Sequence, residues 1–345
     1  MTVKPSGRIQ LLALTLLMSL VLLPACAPRE ETVTIYTSVD RNFSELVFQD
    51  FEQKTGIKVI AGYDTEASKT TGLVNKLIEE ANNPQADVFW NGEFSQTILL
   101  KEKGILMPHQ SPVAADIPAK YRDPDGLWTA FGGRARVILV NTNLLQPADY
   151  PTRYEDFLDD RYPADQIGMA YPLFGTTATH AAALYACEGA DGAQAFFQAL
   201  QDRGIRIVDG NGVVRDLVVD GQLLFGITDT DDALGAVERG DPVAIVVPDQ
   251  GPGEKGTLIV PNSVALVKKD KPNENAQAFL DYILSPETEK YLAEIGWIQA
   301  PVRDVGLSAA GGVDWNQVRT IDVPLSQIYQ QLEPSQSDLK QIFIR

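Results

Sequence analysis

Short β-prone runs alternate with amphipathic helical segments from residue 32 onward, and this alternation constrains the fold more than any other feature of the chain. It calls for α/β architecture with largely parallel sheets. Val33 to Tyr36 reads as a strand, followed by a helical segment whose Phe43, Leu46, Val47 and Phe51 fall at helical spacing before Gly56 stops it. Ile57 to Ala61 is the next strand, Thr70 to Asn82 a helix carrying Leu73, Leu77 and Ile78, and Ala86 to Trp90 a third strand. Arg136 to Asn141 is a strong strand placed to carry the chain into a second lobe, and residues 167–260 repeat the alternation. The apolar stretch Gly256 to Val267 is broken by Pro261 and Asn262, so it reads as a strand pair or a crossing between lobes, and as the best hinge. At Ser285-Pro286-Glu287 a further helix begins: serine can cap, proline suits the first helical position, and Glu287 and Glu289 complement the dipole. The last 30 residues read as a loose helical tail.

Lys4 and Arg8 precede the apolar run Leu11 to Leu23, which ends at Pro24-Ala25-Cys26. Residues 1–25 therefore read as a lipoprotein signal peptide, with lipidation expected on the newly exposed Cys26. The run is short for a membrane span. Removing two cations and no acid from a net charge of −17 leaves −19 on the mature chain. Nucleic acid is excluded as a partner, since a phosphate backbone requires a basic footprint. With Cys26 used as an anchor, Cys187 has no thiol partner, and its apolar helical neighbourhood predicts a buried packing role.

Two histidines, His109 and His180, are too few and too isolated for a zinc protease or a histidine relay, and the common hydrolase and P-loop motifs are missing, so no enzyme is expected. Asp229-Thr230-Asp231-Asp232 is the sharper feature. It follows an apolar strand and precedes a helix expected from Ala233, at the strand edge where open α/β sheets place ligands. Either one of these acids caps the helix while the others stand in water, or a hard cation or ammonium group relieves their repulsion. Similar acids follow other strands: Asp40, Asp64, Glu66 and Glu93. Opposite in sign, Arg134 and Arg136 share one side of a strand, available either to an oxyanion or to an internal acid. The turn Gly175-Thr176-Thr177 opens a helix and offers either an anion cradle or simple capping.

Val33-Thr-Ile-Tyr-Thr, Phe51-Glu-x-x-Thr-Gly-Ile-Lys-Val59, Ala86-Asp-Val-Phe, Gly133-Arg-x-Arg-Val137, Gly256-Thr-Leu-x-x-Pro-Asn-Ser-Val-Ala-Leu266 and Phe279-Leu-Asp-Tyr-x-Leu-Ser-Pro-Glu287 together resemble the bacterial ferric-iron-binding periplasmic proteins, solute-binding components of ABC importers. The resemblance implies a type II periplasmic binding protein: two α/β lobes joined by crossing hinge strands, with ligand in the cleft. The lobes would comprise residues 32–133 plus 258–308 and residues 134–257 plus 309–345. It also implies an anion site at Arg134 and at Gly175, Thr176 and Thr177. The family's tyrosine pair reads Asp231-Asp232 here, its histidine falls on Asp40, and its glutamate falls on Gly92, beside Glu93. The expected cargo is a metal cation, ferric iron (Fe3+) or another hard cation, with a synergistic anion. Asp40, Glu66, Glu93, Asp229, Asp231 and Asp232 would supply the oxygens. An organic amine packed on Tyr36 or Trp90, or a phosphate-bearing molecule held by Arg134, is the alternative. The expected setting is the periplasm or the outer face of the cytoplasmic membrane. There a lipid-anchored monomer would serve a permease and its ATPase.

Overall fold

The computed structural model describes residues 31–64, 71–307 and 311–343. Five of its strands build the first half: β1 (Thr32–Thr37), β2 (Lys58–Tyr63), β3 (Val88–Asn91), β4 (Leu106–Met107) and β10 (Ile259–Val267). Four more build the second: β6 (Ile167–Ala170), β7 (Arg206–Val208), β8 (Phe225–Asp229) and β9 (Val243–Val246). The long strand β5 (Thr129–Asn141) belongs to both, pairing with β10 through its first residues and with β8 and β9 through its last. The central order is β2-β1-β3-β10-β5-β8-β6-β7.

Parallel pairing is confined to the flanks, β1 with β2 and β3, and β6 with β7 and β8. Around β5 and β10 every pairing is antiparallel, which corrects the expectation of largely parallel sheets. The reason is connectivity. The βαβ winds need parallel neighbours, whereas a strand that leaves one half and another that returns run in opposite directions. Pro261 and Asn262 do not break the returning segment into two strands; they produce a register shift inside one continuous β10. Gly133 lies at this crossing, where a Cβ would stand 2.1 Å from the Val260 carbonyl oxygen, so only glycine lets the two strands meet.

Helices cover both faces: α1 (Arg41–Thr55), α2 (Thr71–Glu79), α3 (Ser95–Glu102), α4 (Gly175–Arg203), α5 (Asn211–Val219), α6 (Thr230–Glu238), α7 (Glu274–Ile283), α8 (Pro286–Glu294), α9 (Leu325–Gln330) and α10 (Leu332–Ile342). Helix α1 buries Val47, Phe48 and Phe51, and Phe51 meets Phe279 of α7 edge-on at 5.1 Å between ring centres. One apolar cluster gathers β1, β3, β10 and α7; another joins Ile138, Phe157, Phe197 and Phe225 in the second half. The C-terminal segment, expected as a loose tail, spans them. Leu325 and Ile328 of α9 sink into the first cluster, and Leu339 and Phe343 into the second.

Helix α4 is kinked at Gly189, whose φ of 77° no helix interior accommodates. Cys187 lies just before that kink and is exposed, contrary to the buried role expected for it, because the inward-packed run of α4 stops at Tyr185 and resumes only at Ala193, beyond the kink. Cys26 and the segment 1–25 fall outside the described residues.

Candidate functional site

A cavity of about 1050 Å³ opens between the halves, lined on one side by Glu93, Ser95 and Gln96 and on the other by Gly175, Thr176, Asn211 and Asp229, with Arg134 between them. Strand β8 ends at Asp229, whose backbone is extended and which stands at the start of α6. The helix thus begins at Thr230 rather than Ala233, and Asp231 and Asp232 occupy its first turn. There, two carboxylates complement the positive end of the helix dipole.

A polar cluster around a buried arginine forms part of the cavity wall. Arg136 is fully buried, and its Nη1 donates to Asp229 Oδ1 at 2.6 Å, to Asn211 Oδ1 at 3.0 Å and to Thr176 Oγ1 at 3.2 Å. Asp229 Oδ2 accepts from the Thr176 hydroxyl at 2.6 Å and from Asn211 Nδ2 at 3.0 Å. Thr177 joins by accepting from Arg136 Nη2 at 3.4 Å and donating to Asn211 Oδ1 at 3.2 Å. Two charges at such depth are tolerable only as a hydrogen-bonded pair. Of the two uses the sequence left open for Arg136, the internal ion pair is the one present. It locks together the start of α4, the start of α5 and the end of β8.

Arg134 is placed differently. About a third exposed, it lines the cavity, with Nη1 at 3.4 Å from Asp231 Oδ2 and Nη2 at 3.4 Å from the Gly92 carbonyl oxygen. Both bonds are long, so the guanidinium retains capacity for an anion. Beside it, Gly175 adopts a φ of 56°, a left-handed turn that opens α4 towards the cavity. The first amides of that helix are donors without intrahelical partners.

The predicted acids divide. Glu93 lines the cavity but is engaged, accepting from the Ser95 amide at 2.5 Å, the Gln96 amide at 2.9 Å and Asn91 Nδ2 at 2.8 Å, so that it caps α3. Asp232 pairs with Arg215 at 2.7 Å, while burial, with Asp231 alongside, pushes its carboxyl up to about 6. Asp40 begins α1 through its carbonyl, which accepts from the Phe43 and Ser44 amides at 3.0 Å, and does not line the cavity. Glu66 lies outside the described residues. Tyr36 is also remote from the cavity lining: its hydroxyl donates to both Glu80 oxygens at 3.2 Å, and the Lys76 ammonium sits 4.4 Å from its ring centre. Among the described residues, no three histidine, cysteine, aspartate or glutamate side chains converge as a cation cage.

Several cavity residues escaped the sequence reading. Asn211 is one, a single amide at the start of a short helix. Tyr329, Leu332, Glu333 and Gln336 form a second group, contributed by α9 and α10, with the Tyr329 hydroxyl donating to Glu102 Oε2 at 3.0 Å. Nothing local in a polar C-terminal stretch signals that it will fold back over a cleft.

Comparison with known proteins agrees with this architecture. The chain is 25% identical over 275 residues to iron uptake protein A1 of Synechocystis, covering 77% of this chain and 74% of that protein. It is 26% identical over 280 residues to a putative 2-aminoethylphosphonate-binding periplasmic protein of Salmonella typhimurium, covering 79% and 80%. The ferric binding protein from Campylobacter jejuni superposes with a TM-score of 0.76 at 26% identity, covering 91% of this chain and 100% of that one. The fold is that of the type II periplasmic binding proteins, as the resemblance implied. Residues 83–318 match the family model for bacterial extracellular solute-binding proteins, and the chain is a member of that family.

Proposed function

We propose that this protein is the solute-capturing component of an ABC importer. A lipid on Cys26 would hold it at the outer face of the cytoplasmic membrane, where it passes cargo to a permease and its ATPase. The two lobes, expected as residues 32–133 with 258–308 and residues 134–257 with 309–345, close on the ligand by bending about β5 and β10; within the last segment α9 packs on the first lobe and only α10 on the second. The cargo is a hard cation carried with an anion, ferric iron foremost. Arg134 and the opening turn of α4 hold the anion; Glu93 faces the cation, and Asp231, bonded to Arg134 but not part of the cavity lining, reaches it only once the lobes shut. One observation carries this reading: an arginine with spare hydrogen-bonding capacity and an open helix start share a single interlobe cavity with a carboxylate from the opposite side. Names borne by relatives supply the cargo class, since iron uptake and ferric binding recur among them.

A second reading is favoured by the engaged acids. Asp229 is bound to Arg136 and Asp232 to Arg215, and no tyrosine pair stands at 231–232, so the best-formed element is the oxyanion site. A small organic phosphonate with an amino group fits it, as the name of the Salmonella relative suggests. Titration calorimetry of the ligand-stripped protein with ferric citrate, with citrate alone and with 2-aminoethylphosphonate separates the two. Heat with ferric citrate alone supports iron, heat with the phosphonate alone supports the second reading, and silence with all three overturns both. In either case Arg134→Ala weakens binding by about 10- to 100-fold, the worth of a hydrogen bond to a charged group.

A further inference from the structure

A second cavity, of about 640 Å³, lies in the first half and shares no lining residue with the interlobe cavity. Its size is that of a small-molecule site, which typically measures about 300–1,000 Å³. Pro112, Ala115, Pro124 and Pro324 give it stiff apolar walls, and the turns that carry them are tied together by backbone bonds, His109 N to Gly126 O at 2.8 Å and Asp123 N to Trp128 O at 3.0 Å.

Set into that wall are two polar groups with unmet needs. The Ser111 side chain, 8% exposed, has no partner for its hydroxyl, although Ser111 stands where a serine ordinarily caps the short helical turn Pro112–Ala114. Arg122 has a buried Nε without a partner, and its guanidinium makes one long bond, Nη1 to the Ala114 carbonyl at 3.4 Å. The acids nearby are already matched. Asp123 is paired with Lys101 and accepts from the Leu127 amide at 3.0 Å, and Asp281 Oδ1 accepts from His109 Nε2 at 3.0 Å. Among the described residues Arg122 has no carboxylate partner, although acids outnumber bases 46 to 29 in the chain. Leaving a buried donor unsatisfied costs about 1–3 kcal/mol, so a ligand that supplies the missing acceptor gains what the protein alone forgoes.

We infer that this cavity binds a small monocarboxylate with an apolar body: the carboxylate forks onto Arg122 and accepts from Ser111, and the body packs on the proline and alanine walls. The inference is independent of what the interlobe cleft carries. It is tested with benzoate as probe and benzamide as its neutral isostere, by protein-observed NMR titration of the full chain. Benzoate is expected to bind saturably, at least about tenfold more tightly than benzamide, and Arg122→Gln is expected to lose about tenfold in affinity. Thr176→Val, in the interlobe cleft, leaves benzoate binding unchanged. Should Arg122→Gln fold poorly, Ser111→Ala provides the second variant, with a smaller loss in the same direction. Failure of benzoate to saturate, equal affinity for benzamide, equal affinity in both pocket variants, or a loss in Thr176→Val as large as that in the pocket would each overturn the site.

Discussion

Arg136 at 0% exposure and Asp229 at 4% could not carry their charges separately, because each alone would face the full desolvation cost of an ion in the interior. Removing one partner should therefore cost more than removing both. Arg136→Leu is expected to lower unfolding free energy by about 3–5 kcal/mol, and adding Asp229→Leu to recover a large part of that loss, which urea unfolding of the two single variants and the double variant would show as a positive coupling energy. Strand alternation already placed Arg134 and Arg136 on one side of β5. It could not show that one meets an acid 93 residues later while the other keeps two long bonds at the cavity. A further consequence concerns Asp232, whose folded-state carboxyl is raised to about 6 by burial and by Asp231, against an ordinary value of 3.8. A raised acid favours the folded state when protonated, so its contribution is complete below about pH 4 and is lost as pH climbs to 6. Asp232→Asn mimics the protonated form. Its stability relative to the parent protein should rise between pH 4 and pH 7, measured as the difference in urea midpoints at the two ends; a difference that stays flat would remove Asp232 from the pH dependence.

Helix α8 shows at the level of an element what a local pattern conveys and what it leaves out. Ser285 caps it, accepting from the Thr288 amide at 3.1 Å, and Pro286 takes the first position, both as the sequence implied. Glu289, read there only as a complement to the dipole, is in fact fully buried. It accepts from the Gly132 amide at 3.0 Å, the Val302 amide at 2.9 Å and Arg303 Nε at 2.7 Å, binding α8 to the start of β5. Capping depends on residues three apart and is legible; a hub that joins residues 132, 289 and 303 depends on tertiary placement and is not. The two roles predict different penalties. Ser285→Ala should cost about 1 kcal/mol, typical of a lost cap. Glu289→Ala, which removes the buried partner of Arg303 Nε and of two amides and leaves that guanidinium only Asp116 as a counter-ion, should cost about 3–5 kcal/mol. Equal penalties in denaturant unfolding would mean that Glu289 acts only through the helix dipole. The C-terminal helices carry the same lesson: α9 and α10 have ordinary amphipathic patterns, yet their value lies in spanning two apolar clusters and edging the cavity.

For the molecule as a whole, the decisive arrangement is that β5 and β10 cross between the halves while the interlobe cavity opens beside them. A hinge at this crossing is easily bent, because two extended strands have little to repack, and Gly133 permits their close approach at the pivot. Closure then depends on differential contact: a ligand touching only one lobe binds open and shut forms alike and shifts nothing, whereas one that engages Arg134 and Glu93 together favours the shut form. Arg134 already reaches across this seam, to Gly92 on one side and Asp231 on the other, so an oxyanion competing for its guanidinium would replace weak protein contacts with a stronger bridge. Small-angle scattering of the ligand-stripped protein should accordingly show the radius of gyration fall on adding the true cargo, ferric citrate or 2-aminoethylphosphonate, and stay constant with the other. Arg134→Ala should need proportionally more ligand for the same compaction, since the mutation removes binding energy without altering the hinge. Compaction by neither compound, with calorimetry nonetheless reporting tight binding of one, would place that ligand on a single lobe and refute closure as the means by which this protein holds its cargo.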